Sequence, residues 1–345
     1  MVDVESNRLA AAGRLPAEAT ASWGNSEEED AAEDDSESEE EEGDPCYAAQ
    51  ASCFRDTWNA RYSRYFGHFD DTTKIPNKRF TYKKPGPDQF ASTRTTLQIF
   101  SVKVARIRGG LQWPLHVFGR VAVRDTVDHN RNMIFYRPRE SCQILTQEVP
   151  YLKLTGPTRA VVLADPATFE VDLKVKGITQ SEDECLSFLA VNYIDFTSVQ
   201  SRLLKRDYPS KLSTLEFELG SIVHSVEATI DMRIRRGSWP DGVRAQFAAR
   251  TASIGKAKVM LLDSGDDKVH VAGDRSIKLS RSVVSVEIIG ELEVCVKAWR
   301  PGEIVTDKKK VFKPKKESAS HDVIDVGFCA MDVTISWSVI SILSI

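Results

Sequence analysis

The residues with the clearest chemical capacity in this chain are basic and clustered. Lys308, Lys309, Lys310, Lys313, Lys315 and Lys316 fall within nine positions, and Arg233, Arg235 and Arg236 stand just before a Trp-Pro pair at 239–240. Ammonium and guanidinium groups at this density attract phosphate and carboxylate. The cluster therefore reads as an RNA or phosphate contact, a nuclear-import signal, or a dock for an acidic segment. A lysine run is also the ordinary chemistry of a solvated loop, and the sequence leaves both readings open.

Acidic turns offer a second chemistry. Asp263, Asp266 and Asp267 lie in LLDSGDDK, and Asp125 and Asp128 stand at a comparable point earlier in the chain. Calcium takes about six to eight oxygens, usually from more than one loop, so two such turns raise a calcium- or lipid-binding β-sandwich as one reading. The same string is common turn chemistry. The histidines (His68, His116, His129, His224, His270, His321) never pair at ligand spacing. The cysteines (Cys46, Cys53, Cys142, Cys185, Cys295, Cys329) contain no C-x-x-C, which argues against a zinc site and against a disulfide scaffold. No phosphate-binding loop, nucleophile elbow, zincin or dinucleotide fingerprint occurs. The sequence thus assigns no catalytic residue, no metal site and no cofactor.

Charge is unevenly distributed. The formal net charge is −4, but residues 1–50 carry sixteen acids against Arg8 and Arg14, which leaves the remainder at +10. An acidic, apolar-poor stretch of this kind cannot bury enough surface to offset its ordering entropy, so residues 1–50 are expected to be a disordered arm. The arm either aids solubility or competes for the basic body by intramolecular contact. Ser26, Ser36 and Ser38 each have an acid three residues on, a pattern that suits acidophilic kinases and also arises by chance in acidic runs. There is no leader-like apolar stretch at the start, and the C-terminal Phe328–Ile345 alternates as a strand does. A soluble, cytoplasmic or nuclear protein without membrane contact is expected.

The elements that must position these groups are mostly strands. Residues 51–94 read as a short aromatic helix, with Phe54, Trp58, Tyr62 and Tyr65 on one face, followed by an extended linker clipped down by Phe80 and Tyr82. From Thr95 onward short alternating strands recur between Gly, Pro and Asp punctuation. The chain also repeats itself. SVKVARIRGGLQWPLHVFGRVAVRD at 101–125 parallels SVEATIDMRIRRGSWPDGVRAQFAART at 225–251, and RAVVLADPATFEVDLKVKG at 159–177 parallels RSVVSVEIIGELEVCVKAW at 281–299. The offsets, 126 residues between Trp113 and Trp239 and 122 between Arg159 and Arg281, hold through most of each unit. The fold class is therefore all-β, an antiparallel sandwich or barrel of two related halves at 95–195 and 215–345. Residues 196–214 form the crossover, with room for one helical turn. Each Trp-Pro is expected to start a strand, with its tryptophan closing one end of a half-core; sugar or base stacking is the other use.

The strings LQIFSVKVARIRGGLQWPLHVFGRVAVRD, KLSTLEFELGSIVHSVEATI, SWPDGV and SRSVVSVEIIGELEVCVKAW resemble an uncharacterised family abundant in grass proteins, over a stretch from about Phe54 to the C-terminus. In some members of that family this region is joined to a ribosome-inactivating rRNA N-glycosylase domain. The resemblance brings no established activity. The glycosylase's Glu-Ala-x-Arg helix motif is missing here, since Ala248-Ala249-Arg250 lacks the glutamate and falls in an expected strand. The sequence therefore points to a non-enzymatic binding or regulatory module that engages a protein or ribonucleoprotein through its basic face. A relative of ribosome-inactivating proteins in plant defence, and a calcium- or lipid-binding β-sandwich, are the alternatives.

Overall fold

The computed structural model describes residues 45–195, 199–265 and 268–342. Its organising element is a single strand of 25 residues, β9 (Ser213–Gly237), which serves two sandwiches in succession. Around its first part, β1 (Arg94–Ile107), β5 (Val161–Val162) and β8 (Arg202–Pro209) form the layer β5-β1-β9-β8. Facing it is a sheet of order β3-β2-β6-β7, from β2 (Leu115–Arg124), β3 (Asn132–Arg137), β6 (Ala167–Val175) and β7 (Glu184–Tyr193), with β4 (Gln143–Leu145) alongside β2.

The second part of β9 builds the same arrangement again. The layer β12-β9-β16-β15 uses β12 (Val283–Glu287), β15 (Ala319–Asp325) and β16 (Cys329–Ser338). It is faced by β11-β10-β13-β14, made of β10 (Arg244–Thr251), β11 (Val259–Asp263), β13 (Leu292–Arg300) and β14 (Glu303–Phe312). The two sandwiches thus share one strand order, and neither closes into a barrel. All pairings between the named strands are antiparallel.

β9 changes partners over three residues. β1 pairs with it as far as Arg94↔Ser225, and β16 takes over from Ser338↔Glu227. At this point His224 has φ +46° and the register with β1 slips, a bulge that re-aims the strand. Gly220 lies just upstream, where a Cβ would stand 2.7 Å from the Phe100 ring. Only glycine lets the strand and that ring approach so closely.

Each sandwich has its own core, because each pair of sheets turns alternate apolar residues inward. Val121, Phe169, Leu189 and Phe217 belong to the first core; Ile230, Phe247, Val294 and Trp337 belong to the second. Leu215, Phe217 and Leu219 pack in the first core, so that core's last strand lies beyond the boundary at residue 195 read from the sequence. The apolar pattern runs through residues 213–237 without a break, which hides the handover. Of the expected crossover, residues 202–209 form strand β8 in place of a helical turn. Its Tyr208 is buried, while Arg202, Lys205 and Arg206 face outward as suits an edge strand.

The N-terminal helix begins earlier than expected. α1 (Pro45–Thr57) includes residues assigned to the acidic arm and packs against β7, proline being suited to a first helical turn. Residues 1–44, with Ser26, Ser36 and Ser38, lie outside the described residues. α1 continues into a π-helical turn, Trp58–Tyr62, and a last turn α2 (Ser63–Phe66). In the π turn the Ser63 N–H donates to the Trp58 carbonyl, five residues back, which shifts the inward face by about one position. Trp58 and Tyr62 are therefore buried, whereas Tyr65 is exposed and Phe66 takes the contact, its ring 4.2 Å from that of His129. Among the described residues, no helix is long and apolar enough to cross a membrane.

Candidate basic interface

The basic residues singled out in the sequence do not converge. Arg233 and Arg235 alternate with buried Ile234 along β9 and face outward from the long sheet. Each arginine already has a local partner. The Arg233 Nε donates to the Asp274 carbonyl at 2.8 Å, Arg235 meets Asp332 at 3.4 Å, and Arg236 meets Asp325 at 3.2 Å. Lys308, Lys309 and Lys310 lie on β14, an edge strand, where lysines oppose edge-to-edge association. Lys310 turns toward the neighbouring layer and meets Asp322 at 3.0 Å, whereas Lys309 turns to the outer face and meets Glu293 at 2.6 Å. The Lys309 ammonium holds the Glu293 carboxyl below its ordinary range, and Lys309 is itself raised by that hydrogen bond.

The remaining lysines do gain company, from a segment that sequence spacing could not bring near. The β14–β15 turn carries Lys313, Lys315 and Lys316, and its Ser318 N–H donates to the Thr81 carbonyl of the linker at 2.8 Å. Tyr82, Lys83 and Lys84 follow directly from Thr81 and are exposed. Both segments are pinned to the end of β16. The Val339 N–H donates to the Lys316 carbonyl at 2.8 Å, the Trp337 N–H to the Ser318 carbonyl at 2.9 Å, and the Phe80 N–H to the Ser338 Oγ at 3.0 Å. Phe80 is buried in the second core, as a clip should be. Tyr82, expected to clip the linker as well, is instead 78% exposed.

The result is a patch of Lys83, Lys84, Lys313, Lys315 and Lys316 around an exposed tyrosine. The Lys315 Nζ reaches the Ala319 carbonyl at 3.2 Å. Among the described residues, the side chains of Lys83, Lys84, Lys313 and Lys316 have no ionic partner, and exposed Glu317 is the acid within the turn. Free ammonium groups held on pinned backbone beside an aromatic face suit an anionic ligand with flat groups to stack. The signal for the linker half of this patch, the string Tyr82-Lys83-Lys84, is present in the sequence. Its closeness to the β14–β15 turn, more than two hundred residues on, is tertiary information.

The acidic turns do not act together as a cation site. The Asp125–Asp128 turn joins β2 to β3, whereas Asp263 closes β11 at the opposite end of its sheet, level with Gln246 near the start of β10. The comparable placement read from the sequence is therefore not realised. Asp125 and Asp128 already hold a cation, the buried Arg159 guanidinium. Arg159 donates to both Asp125 oxygens at 2.8 Å and to Asp128 Oδ1 at 2.9 Å. Asp125 also accepts the Val127 and Val162 N–H groups, which uses its remaining lone pairs. Asp263 accepts from the Gly265 N–H and from Gln246. Asp266 and Asp267 lie outside the described residues. Trp239 fills the second core with its Nε1 on the Val243 carbonyl at 2.9 Å, while Trp113 packs half-buried against the first core.

No curated protein matches the chain. Among solved structures, it is similar to human GIVD cytosolic phospholipase A2, at 10% identity and a TM-score of 0.24 over 72% of this chain and 31% of that one. The chain thus spans about a third of the phospholipase. It is similar also to the paired C2 domains, A and B, of extended-synaptotagmin 2, at 12% identity and a TM-score of 0.24 over 78% of this chain and 98% of that one. A family described as a domain of unknown function, DUF6598, matches residues 96–335, which span both sandwiches. The chain belongs to the DUF6598 family.

Proposed function

We propose that this protein is a non-enzymatic binding module that engages a ribonucleoprotein through the patch formed by the linker and the β14–β15 turn. The observation that carries this reading is the Thr81–Ser318 hydrogen bond, because it sets two lysine-bearing segments side by side next to the exposed Tyr82. Ammonium groups contact phosphates, and a tyrosine ring stacks on an unpaired base. The resemblance to a grass-protein family found beside rRNA N-glycosylase domains favours RNA-bearing partners, and with them a cytoplasmic or nuclear setting. The glycosylase alternative has no Glu-Ala-x-Arg motif to rest on.

Affinity capture from plant extract with the full chain, with and without ribonuclease, tests the reading. Partners lost on ribonuclease treatment, and lost also when Lys83, Lys84, Lys315 and Lys316 are changed to glutamine, support it. Partners that survive ribonuclease make the module a protein-docking domain instead.

A further inference from the structure

The first sandwich carries an open cleft that none of the basic residues above accounts for. Its volume is about 340 Å³, within the range of sites that hold small ligands. The floor is the last part of β1, from Lys103 to Ile107. Trp113, from the turn between β1 and β2, and Gln147, Glu148, Pro150 and Tyr151, which follow β4, complete the lining.

The walls are built on fixed backbone. The Val104 N–H donates to the Pro150 carbonyl at 3.0 Å and the Leu152 N–H to the Val102 carbonyl at 2.9 Å, so Tyr151 is held against Lys103 as an added strand. A turn closed between Thr146 and Val149 presents Gln147 and Glu148. Trp113 rests half-buried on the first core, and Tyr151 is half exposed.

The composition of the cleft selects its ligand. Two aromatic side chains, Trp113 and Tyr151, are among its lining residues, and such rings receive the apolar face of a sugar ring. Lys103 is paired with Glu216 at 3.0 Å, a carboxylate that Lys205 also reaches at 3.5 Å, while Arg106 and Glu148 bring one charge of each sign to the lining. The Glu148 carboxylate in the lining disfavours a phosphate, and the charged and amide groups there disfavour a lipid chain. Arg106, Gln147 and Glu148 together offer donors and acceptors of the kind that pair with hydroxyl groups. We infer that the cleft between Trp113 and Tyr151 is a binding site for an uncharged saccharide, with the sugar ring against the aromatic side chains and its hydroxyls on Arg106, Gln147 and Glu148. This site is separate from the lysine patch, which belongs to the second sandwich, and its fate does not depend on the RNA reading.

The test is saturation-transfer NMR and calorimetry on the full chain, with cello-, xylo-, manno- and galacto-oligosaccharides as probes and adenosine monophosphate as the charged control. The expected result is binding of at least one neutral oligosaccharide and no competition from the nucleotide. Affinity should fall by about tenfold or more in Tyr151→Ala and in Gln147→Ala, the scale of one or two lost contacts, with the melting temperature unchanged. Trp113 also supports the core, so Trp113→Phe, which keeps an aromatic ring there, should retain measurable binding. Silence across the panel, binding untouched by Tyr151→Ala, or displacement by the nucleotide would overturn the assignment.

Discussion

Arg281, in the second sandwich, donates from Nη2 to the carbonyl of Ile99, in the first, at 2.6 Å. Its Nε donates to Gly156 at 2.7 Å, and its Nη1 reaches Phe100 at 3.4 Å. The guanidinium is buried, meets backbone carbonyls where its repeat counterpart Arg159 meets carboxylates, and is pushed down to about 10 by burial. This one side chain therefore ties the loop before β12 to strand β1 and to the loop before β5.

Removing that tie should expose the junction between the cores. Arg281→Ala strands carbonyls that have lost a charged donor, and a loss of about 2–4 kcal/mol is expected. Urea unfolding followed by tryptophan fluorescence measures it. A change below about 0.5 kcal/mol would mean that water replaces the guanidinium without cost.

A second buried cluster holds the N-terminal helices. Glu170 receives both Arg124, at 3.0 Å, and Arg131, whose Nε stands 3.0 Å from each carboxylate oxygen. The Arg124 guanidinium lies 4.5 Å from the ring centres of both Trp58 and Phe69. Glu170→Gln leaves two buried cations short of their shared anion, at an expected cost of about 3–5 kcal/mol. Hydrogen exchange should show the loss first in residues 45–69, with the β9 ladder protected until global unfolding.

Acid should loosen the same region. Burial holds the His129 imidazole below its ordinary 6.5, against the pull of Asp125 and Asp128. A histidine kept neutral in the fold contributes fully above pH 6.5 and progressively less as the pH falls through its folded value. Asp70 adds to this at lower pH. Burial pulls its carboxyl up, but Arg131, Arg55 and Arg120 outweigh that and hold it below 3.8, so its share is present above pH 3.8 and lost as the pH falls through the folded value. Asp70 is largely exposed, and solvent screens its contribution. Stability measured against pH should therefore decline below 6.5 in the wild type and less steeply in His129→Asn, since asparagine tolerates the φ of +56° found there. Superimposable profiles would take His129 out of the explanation.

Calcium should have no effect on melting. Arg159 already occupies the Asp125 and Asp128 carboxylates, and a ligand that binds the folded state must raise its stability. An upward shift in melting temperature at millimolar calcium would show that ligands beyond these two carboxylates complete a site.

Much of the architecture was legible because the repeat is written in side chains with structural duties. Arg159 and Arg281 each precede a Val-Val pair that enters a layer, and the Phe169–Val175 alternation is β6 facing the first core. The sharing of β9 was not legible, since a strand that serves two cores in turn carries the same period throughout. Nor was the phase of the aromatic helix, because one π turn moves the contact from Tyr65 to Phe66. The lysine patch was half legible: the Lys308–Lys316 run stands out, yet two of its members, Lys309 and Lys310, are spent on acidic partners. The linker lysines that complete the patch join it through the Thr81–Ser318 contact and the shared anchorage on β16.

The acidic arm bears on any anion reached by this patch. The arm's charge opposes the +10 of the remaining chain, and we propose that it competes for the same lysines. Removal of residues 1–44 should tighten binding to a polyanion and steepen its salt dependence. Equal affinity with and without the arm would leave it a solubility tail.

The most direct test of the interface is a salt titration of binding to a labelled single-stranded RNA, comparing the wild type with the Lys83→Gln, Lys84→Gln, Lys315→Gln, Lys316→Gln variant. Each phosphate contact adds about 0.7 to the slope of log affinity against log salt, so the variant should lose about 3 units of slope and most of its affinity. Tyr82→Ala should weaken binding with the slope unchanged, as expected for stacking. A variant that binds RNA with the wild-type affinity and slope would contradict the proposed interface.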